Sequence, residues 1–157
     1  MIVLYKPKIT DLWFKEKLLS DPSTMSYNRR WGGTIAFPKE KWKSWSERWL
    51  SDDDKHFYRY LLNEEKREFV GEVAYHFDDE RMICLADVLV MAKYRGNGCG
   101  KAGLKLLCQQ AKRNGISELY DEIAIDNPAI VLFEKMGFVE VSRTEEAVLL
   151  RKKLQKV

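Results

Sequence analysis

The segment Val88-Leu89-Val90-Met91-Ala92-Lys93-Tyr94-Arg95-Gly96-Asn97-Gly98-Cys99-Gly100-Lys101 is an apolar run that passes through a glycine-rich turn into a stretch of helical periodicity. Glycines in such a turn let successive backbone N–H groups converge on one point with no Cβ in the way. The helix N-terminus behind them adds partial positive charge, so a phosphate or pyrophosphate can be held mainly by backbone. Residues 93–113 carry six basic side chains and no acidic one, which reinforces that sign. A Walker A loop is excluded, because Arg95 stands where its first glycine belongs and Ala102 replaces the Ser or Thr that would hold magnesium. Gly98, Gly100 and Gly103 satisfy the dinucleotide pattern GxGxxG, with Asp121 or Glu122 about 20 residues further on. That fold, however, needs two βαβαβ halves, and only 54 residues remain after Gly103.

Two carboxylates lie in strand-like segments that flank this turn. Asp87 alternates with Leu85 and Leu89, and a carboxylate between leucines on a central strand has its pKa raised by desolvation unless it is paired. Glu72 shares a face with Ala74 and His76, the latter about 13 Å away along a strand. Both carboxylates are candidate proton acceptors. Cys84, Cys99 and Cys108 show no CxxC spacing, and His56 and His76 are not placed to complete a zinc site, so neither disulfide nor metal is expected.

The elements that must position these residues follow from period. A short strand over Ile2–Tyr5 precedes a helix over about 10–20, which Thr10 or Asp11 could cap and Asp21-Pro22 should end. Residues 22–38 read as a loop bearing Tyr27, Arg29, Arg30, Trp31 and the pair Gly32-Gly33. Pro38 then opens a helix whose Trp42, Trp45 and Trp49 form one core-facing stripe. Period two governs His56–Leu62, Phe69–Phe77 and Met82–Met91, an antiparallel meander. A helix over 99–114, a strand Leu119–Ile125, a helix Pro128–Met136 and a hairpin of Phe138–Ser142 with Ala147–Leu154 complete the chain.

Arg95-x-x-Gly98-x-Gly100 after a strand resembles the acetyl-CoA motif of the GNAT N-acetyltransferase superfamily. Downstream, Asp126-Asn127-Pro128-Ala129-Ile130-Val131-Leu132-Phe133-Glu134-Lys135-Met136-Gly137-Phe138 is similar to that family's N-x-x-A-x-x-L-Y-x-K-x-G-F helix. The element order matches too. The resemblance implies an α/β (α+β) GNAT fold over residues 1–157 as one domain: a mixed, mostly antiparallel sheet of about seven strands flanked by four helices. It also implies acetyl-CoA as co-substrate. Pyrophosphate and pantetheine would lie on the backbone of Arg95, Gly96, Asn97, Gly98, Cys99, Gly100 and Lys101. Val88, Leu89 and Val90 would run beside the pantetheine arm, with an N–H near Val90 polarising the thioester carbonyl. Arg95, Lys101 and Lys105 would add charge toward the phosphates. Two positions depart from the pattern. Phe133 replaces the tyrosine that commonly protonates the leaving thiolate, leaving only packing against the cofactor arm and making Tyr94 and Tyr120 candidate donors. Asp126 replaces the asparagine, so Asn127 becomes the polar cofactor contact.

In that frame Asp87 or Glu72 is the base that takes a proton from an amine, because a primary amine is protonated at pH 7. Tyr27 and Trp31, with the neighbouring arginines, would line the acceptor pocket and suit a small amine that also bears an anionic group. A protein N-terminus or lysine as acceptor, and a non-catalytic acyl-CoA-binding module, are the alternatives. The net charge of +3 argues against a nucleic-acid partner. The longest run without a charged residue, Trp31–Pro38, is too short to span a membrane, so a cytoplasmic protein is expected. Pairing of two copies through the C-terminal strands, common in that family, is a further expectation.

Overall fold

Period-two alternation between residues 56 and 91 produces the three longest strands of a computed structural model that describes residues 1–154. They are β2 (His56–Asn63), β3 (Glu68–Asp78) and β4 (Ile83–Val90), an antiparallel meander. With β1 (Ile2–Tyr5), β5 (Glu118–Ala124), β6 (Val139–Arg143) and β7 (Ala147–Lys153) they form one seven-stranded sheet, in the order β1-β2-β3-β4-β5-β7-β6. Every neighbouring pair is antiparallel except β4 and β5. That parallel pair shares a single register position, Leu85 opposite Tyr120. Each of the two keeps its outer partner throughout: β4 pairs with β3 from Ile83 to Val90, and β5 with β7 from Glu118 to Ala124.

The sheet is covered on both faces. Helices α1 (Trp13–Ser20) and α2 (Trp42–Trp49) pack on one side, where Leu12, Phe14, Leu18, Tyr58, Tyr60 and Leu89 form a buried cluster. Trp42, Trp45 and Trp49 lean half-buried against that cluster, as their spacing anticipates. The other side carries α3 (Cys99–Arg113) and α4 (Ala129–Lys135). Here Leu104, Leu107, Cys108 and Ala111 of α3 meet Phe57, Leu61 and Val73, and Phe133 of α4 joins the same core. Gly71 of β3 lies where the meander reaches the end of β4, and a Cβ there would stand 2.3 Å from the Leu89 carbonyl oxygen. Only glycine allows that approach.

Two local expectations change. Asp11 does not cap α1: its carboxylate accepts from the Tyr5 hydroxyl at 2.7 Å and the Lys8 N–H at 2.9 Å, closing a 3-10 turn over Ile9–Asp11, and α1 begins after Leu12. Within the segment expected as loop, Thr24–Trp31 winds into a 3-10 helix. Its fixings come from far along the chain. Arg95 donates from its terminal nitrogens to the carbonyls of Thr24 at 2.9 Å and Ser23 at 3.4 Å, and the Ala92 N–H donates to Thr24 Oγ1 at 2.9 Å.

Glu72 is buried in an ion pair. Lys15 of α1 donates from Nζ to its two oxygens at 3.0 and 3.2 Å, and the rings of Tyr58 and Trp45 lie 4.8 and 5.0 Å from the ammonium. The pair ties α1 to β3, and removing one partner of such a pair strands a buried charge. Lys15→Met should therefore lower the unfolding free energy in urea by about 3–5 kcal/mol, whereas adding Glu72→Leu should recover most of the loss. Equal loss in single and double variants would contradict this account.

Candidate functional site

Beyond Leu85 and Tyr120 the strands β4 and β5 have no partner in each other, and a cleft of about 890 Å³ opens between them. One wall is Asp87 to Val90 of β4, and the other is Asp121 to Ala124 of β5. The glycine-rich turn and the first turn of α3 form one end. Gly98 caps α3 at φ +80, a left-handed conformation that strains any side chain, and Gly96 has φ +84. A Cβ at Gly98 would meet nothing within 4 Å, so the glycine is set by backbone angle and not by crowding. The 15-residue α3 has no acidic side chain in its first turn, and its N-terminal dipole points toward this end of the cleft unopposed. The cradle fits a pyrophosphate. The Thr24–Trp31 helix supplies the opposite rim through Ser26, Tyr27, Arg29, Arg30 and Trp31.

Of the residues expected to contact the cofactor, Val88, Leu89, Val90, Arg95, Gly96, Gly98, Cys99, Gly100, Lys101, Asn127 and Phe133 all line the cleft. Asn97 does not, its side-chain amide pointing back to the Tyr94 carbonyl. The Arg95 guanidinium also departs from expectation, being committed to the carbonyls of Ser23 and Thr24 and, through Nε, to Val90 O at 3.2 Å. It joins the glycine-rich turn to the Thr24–Trp31 helix instead of facing a phosphate. Asn127 Oδ1 accepts from the Ala129 N–H at 2.9 Å and so orders the start of α4. Phe133 packs edge-on against Phe138 at 4.9 Å and presents no hydroxyl. Tyr94 and Tyr120 are not among the lining residues.

The acceptor residues Tyr27 and Trp31 line the cleft, Trp31 with 57% of its surface exposed. Arg30 is not free for an anionic acceptor group, since it pairs with Asp126 at 3.5 Å and reaches the Glu146 carbonyl at 3.4 Å.

The two candidate bases separate. Glu72 lies outside the cleft lining and is held by Lys15, while His76 stacks on His56 at 6.0 Å and packs against Trp49. Asp87 opens into the cleft, where solvent reaches it from one side and protein encloses it on the others. That enclosure, reinforced by the Glu72 charge and only partly offset by Lys15 and the Val88 N–H, pushes its carboxyl up to about 6. Asp121 lines the β5 wall, on the sheet face shared with Leu119 and Ile123, whereas Asp87 shares the other face with Leu89. Burial first, and then the charge of Asp87, hold the Asp121 carboxyl well above the usual carboxylate range. Desolvation, followed by the charges of Asp87, Glu72 and Asp121, likewise raises the Tyr27 phenol. Asp121 was detectable in the sequence by the same alternation that marks Asp87, since it shares a strand face with Leu119 and Ile123.

A profile of the Acetyltransferase (GNAT) family matches residues 16–138. Among curated relatives, an N-acetyltransferase 9-like protein of Nematostella vectensis is 30% identical over 114 residues, covering 62% of this chain and 56% of that protein. The [ribosomal protein bS18]-alanine N-acetyltransferase of Haemophilus influenzae is 39% identical over 57 residues, covering 36% of this chain and 39% of that protein. The chain thus spans about half or less of the length of these relatives. Among solved structures, the spermidine N-acetyltransferase of Vibrio cholerae in complex with CoA and spermine superposes with a TM-score of 0.77. It is 16% identical, with 98% of this chain and 95% of that one covered. No helix among the described residues is long and apolar enough to cross a membrane.

The raised carboxyls have a consequence for stability. Asp87 binds its proton more tightly folded, at about 6, than unfolded, at about 3.9, so its ionisation opposes folding fully above pH 6 and not at all below pH 4. Asp87→Asn should therefore melt at a higher temperature than the wild type at pH 8, with the advantage shrinking as the pH falls from 6 to 4. Thermal denaturation of both proteins across that range checks it, and an advantage independent of pH would contradict it.

Proposed function

This chain belongs to the GNAT family of acetyltransferases, and from that premise we propose that it is an acetyl-CoA-dependent N-acetyltransferase acting on a primary amine of a small molecule by direct attack on the thioester. The observation that carries the reading is the cleft itself. An anion cradle at the end of β4 and an ionisable carboxylate on the same strand open into one space.

Acetyl-CoA is consumed in this reaction as the acetyl donor. The backbone of Arg95 to Lys101 suits its pyrophosphate, with Lys101 adding charge on the first turn of α3. Val88, Leu89 and Val90 suit its pantetheine arm, where the inner edge of β4 faces no strand. A backbone donor beside the thioester oxygen stabilises the developing oxyanion by about 2.7–4 kcal/mol in comparable acyl-transfer sites. Asp87 is the base: near pH 7 it is largely ionised, and a carboxyl at about 6 takes an ammonium proton more readily than an ordinary aspartate does. Glu72 acts behind it as a structural partner of Lys15.

The acceptor is read from charge. Asp87 and Asp121 meet no Lys or Arg in an ion pair among the described residues, and Arg30 is already spent on Asp126. A cationic amine matches that wall better than one carrying an anionic group, and spermine in the Vibrio cholerae neighbour is of the former kind. The alanine N-acetyltransferase relative favours a second reading, a protein N-terminus as acceptor. Pairing of two copies would use β6, the sheet edge, whose Val139 and Val141 are exposed.

Calorimetry should find acetyl-CoA and CoA bound and NAD(P) unbound. A panel assay with acetyl-CoA should then show turnover of polyamines or other small amines, whereas turnover confined to peptide N-termini would select the second reading. Asp87→Ala should lower turnover about 10²–10⁴-fold with acetyl-CoA affinity near normal. Undiminished turnover would remove Asp87 from the mechanism.

A further inference from the structure

One cation already sits across the cleft, and it belongs to the chain itself. Arg30, on the Thr24–Trp31 rim, places one terminal nitrogen 3.5 Å from Asp126 Oδ2 and donates from the other to the Glu146 carbonyl at 3.4 Å. Asp126 follows β5 and lines the opposite side of the same cleft. The contact therefore runs from rim to rim. The Thr24–Trp31 segment packs through Met25 and Tyr27 into the cluster that holds Leu89, so the contact is anchored on the sheet face that Asp87 shares. Asp126 stands where the family motif carries asparagine, and a neutral amide there would give Arg30 no charge to meet.

The two sides of this contact are held differently. Beside Asp126 the backbone is tied: the Asn127 N–H donates to the Ala124 carbonyl and the Ile125 N–H to the Glu146 carbonyl, each at 2.9 Å. Both acceptors of Arg30 are thus fixed by their own elements and not by the arginine. On the other side Ser23 and Thr24 are fastened to the glycine-rich turn. Beyond them, among the described residues, Arg30 makes the only polar bonds by which 26–33 reach outside their own segment. Gly32 and Gly33 follow at φ +108 and +72, and a Cβ on either would meet nothing within 4 Å, so nothing crowds the segment where it ends. The pair is exposed, 41% at Arg30 and 68% at Asp126, and longer than the roughly 2.7–2.9 Å of a strong charge-assisted bond. Such pairs contribute little, so another cation can take the arginine's place at small cost.

We propose that Asp126, with the Glu146 carbonyl, is the subsite for a second, non-reacting ammonium of the acceptor, and that Arg30 is the place-holder which this ammonium displaces. The proposal rests on the acetyl-transfer reading above and narrows its acceptor to diamines and longer polyamines. The reacting nitrogen is directed to Asp87 on β4 and the other to Asp126 past the end of β5, so recognition spans both walls of the cleft. Asp87 lies two residues beyond the Leu85–Tyr120 bridge and Asp126 six, so the two nitrogens need a spacer of several methylenes. A monoamine reaches Asp87 but leaves Arg30 in position. An acceptor whose second group is anionic is repelled by Asp126, and it gains Arg30 only by stranding that carboxylate.

Three acceptors of matched length test the subsite: 1,4-diaminobutane, 1-aminobutane and 4-aminobutanoate, assayed with acetyl-CoA and titrated by calorimetry into CoA-saturated protein. Wild type should prefer the diamine. Asp126→Asn should lower the diamine-to-monoamine ratio of kcat/KM about two- to fivefold, and Arg30→Gln, which removes the competitor, should raise it by a similar factor. In the Asp126→Asn background Arg30→Gln should no longer shift the ratio, because the arginine acts through that carboxylate. A ratio unmoved by Asp126→Asn, or losses equal for all three amines, would overturn the subsite. So would a wild-type preference for 4-aminobutanoate that Arg30→Gln abolishes, which would make Arg30 the anchor of an anionic group. Turnover and calorimetry fail separately. Diamine affinity that weakens in Asp126→Asn and tightens in Arg30→Gln, in a protein inert toward every amine, would overturn the acetyl-transfer reading and keep the subsite, whereas an active enzyme with unchanged ratios would overturn the subsite alone.

Discussion

The parting of β4 from β5 is the constraint on which the rest of the molecule depends. Adjacent parallel strands normally satisfy each other's backbone, yet here they do so at one register position. Each remains in the sheet because its outer neighbour, β3 or β7, pairs with it along its whole length. The inner edges beyond Leu85 and Tyr120 are consequently left with backbone donors and acceptors that call for a partner. An extended acyl arm with amide groups is such a partner. Both the glycine-rich turn that follows β4 and the start of α4 that follows β5 lie where the arms are widest, so the separation of two strands also gathers the ends of two helices.

Charge is distributed around that opening by the same geometry. Asp87 and Asp121 line that opening opposite the apolar ladder partners Ala74 and Leu150, and desolvation with the charge of neighbouring carboxylates makes both hold their protons more tightly than free aspartates. The buried Lys15–Glu72 pair limits the effect, because an unanswered Glu72 would press Asp87 further still. Arg95 and Thr24 set the remaining boundary. Through them the segment that carries Tyr27 and Trp31 is fastened to the turn that carries the anion cradle, so the acceptor rim and the donor end are built as one piece.

The seven strands, the four α-helices and the cradle were legible because each depends on neighbours close in sequence. Alternation located β2, β3 and β4 to within a residue or two, the leucine spacing located α3, and positive φ at Gly96 and Gly98 follows from residue type. Asp87 was legible through its flanking leucines. Asp121 obeys the same rule between Leu119 and Ile123, but the adjacent Tyr120 and Glu122 mask it with polar character. The Thr24–Trp31 helix carried no apolar period to announce it, since its fixings are backbone carbonyls reached by a distant arginine.

Glu72 and Asp87 mark the boundary between the two kinds of knowledge. In the sequence they are equivalent, each a carboxylate within a strand-like segment that flanks the same turn. What separates them is Lys15, 57 residues from Glu72, which the chain bonds directly to Glu72 and leaves acting on Asp87 only through its charge. The sequence by itself determined the strand, turn and helix that can hold an anion, because dihedral preference and side-chain period act over a few residues. Only the tertiary structure decided which carboxylates keep an unanswered charge and where two strands let go of each other, because ion pairing and strand pairing are settled between segments that the sequence holds far apart.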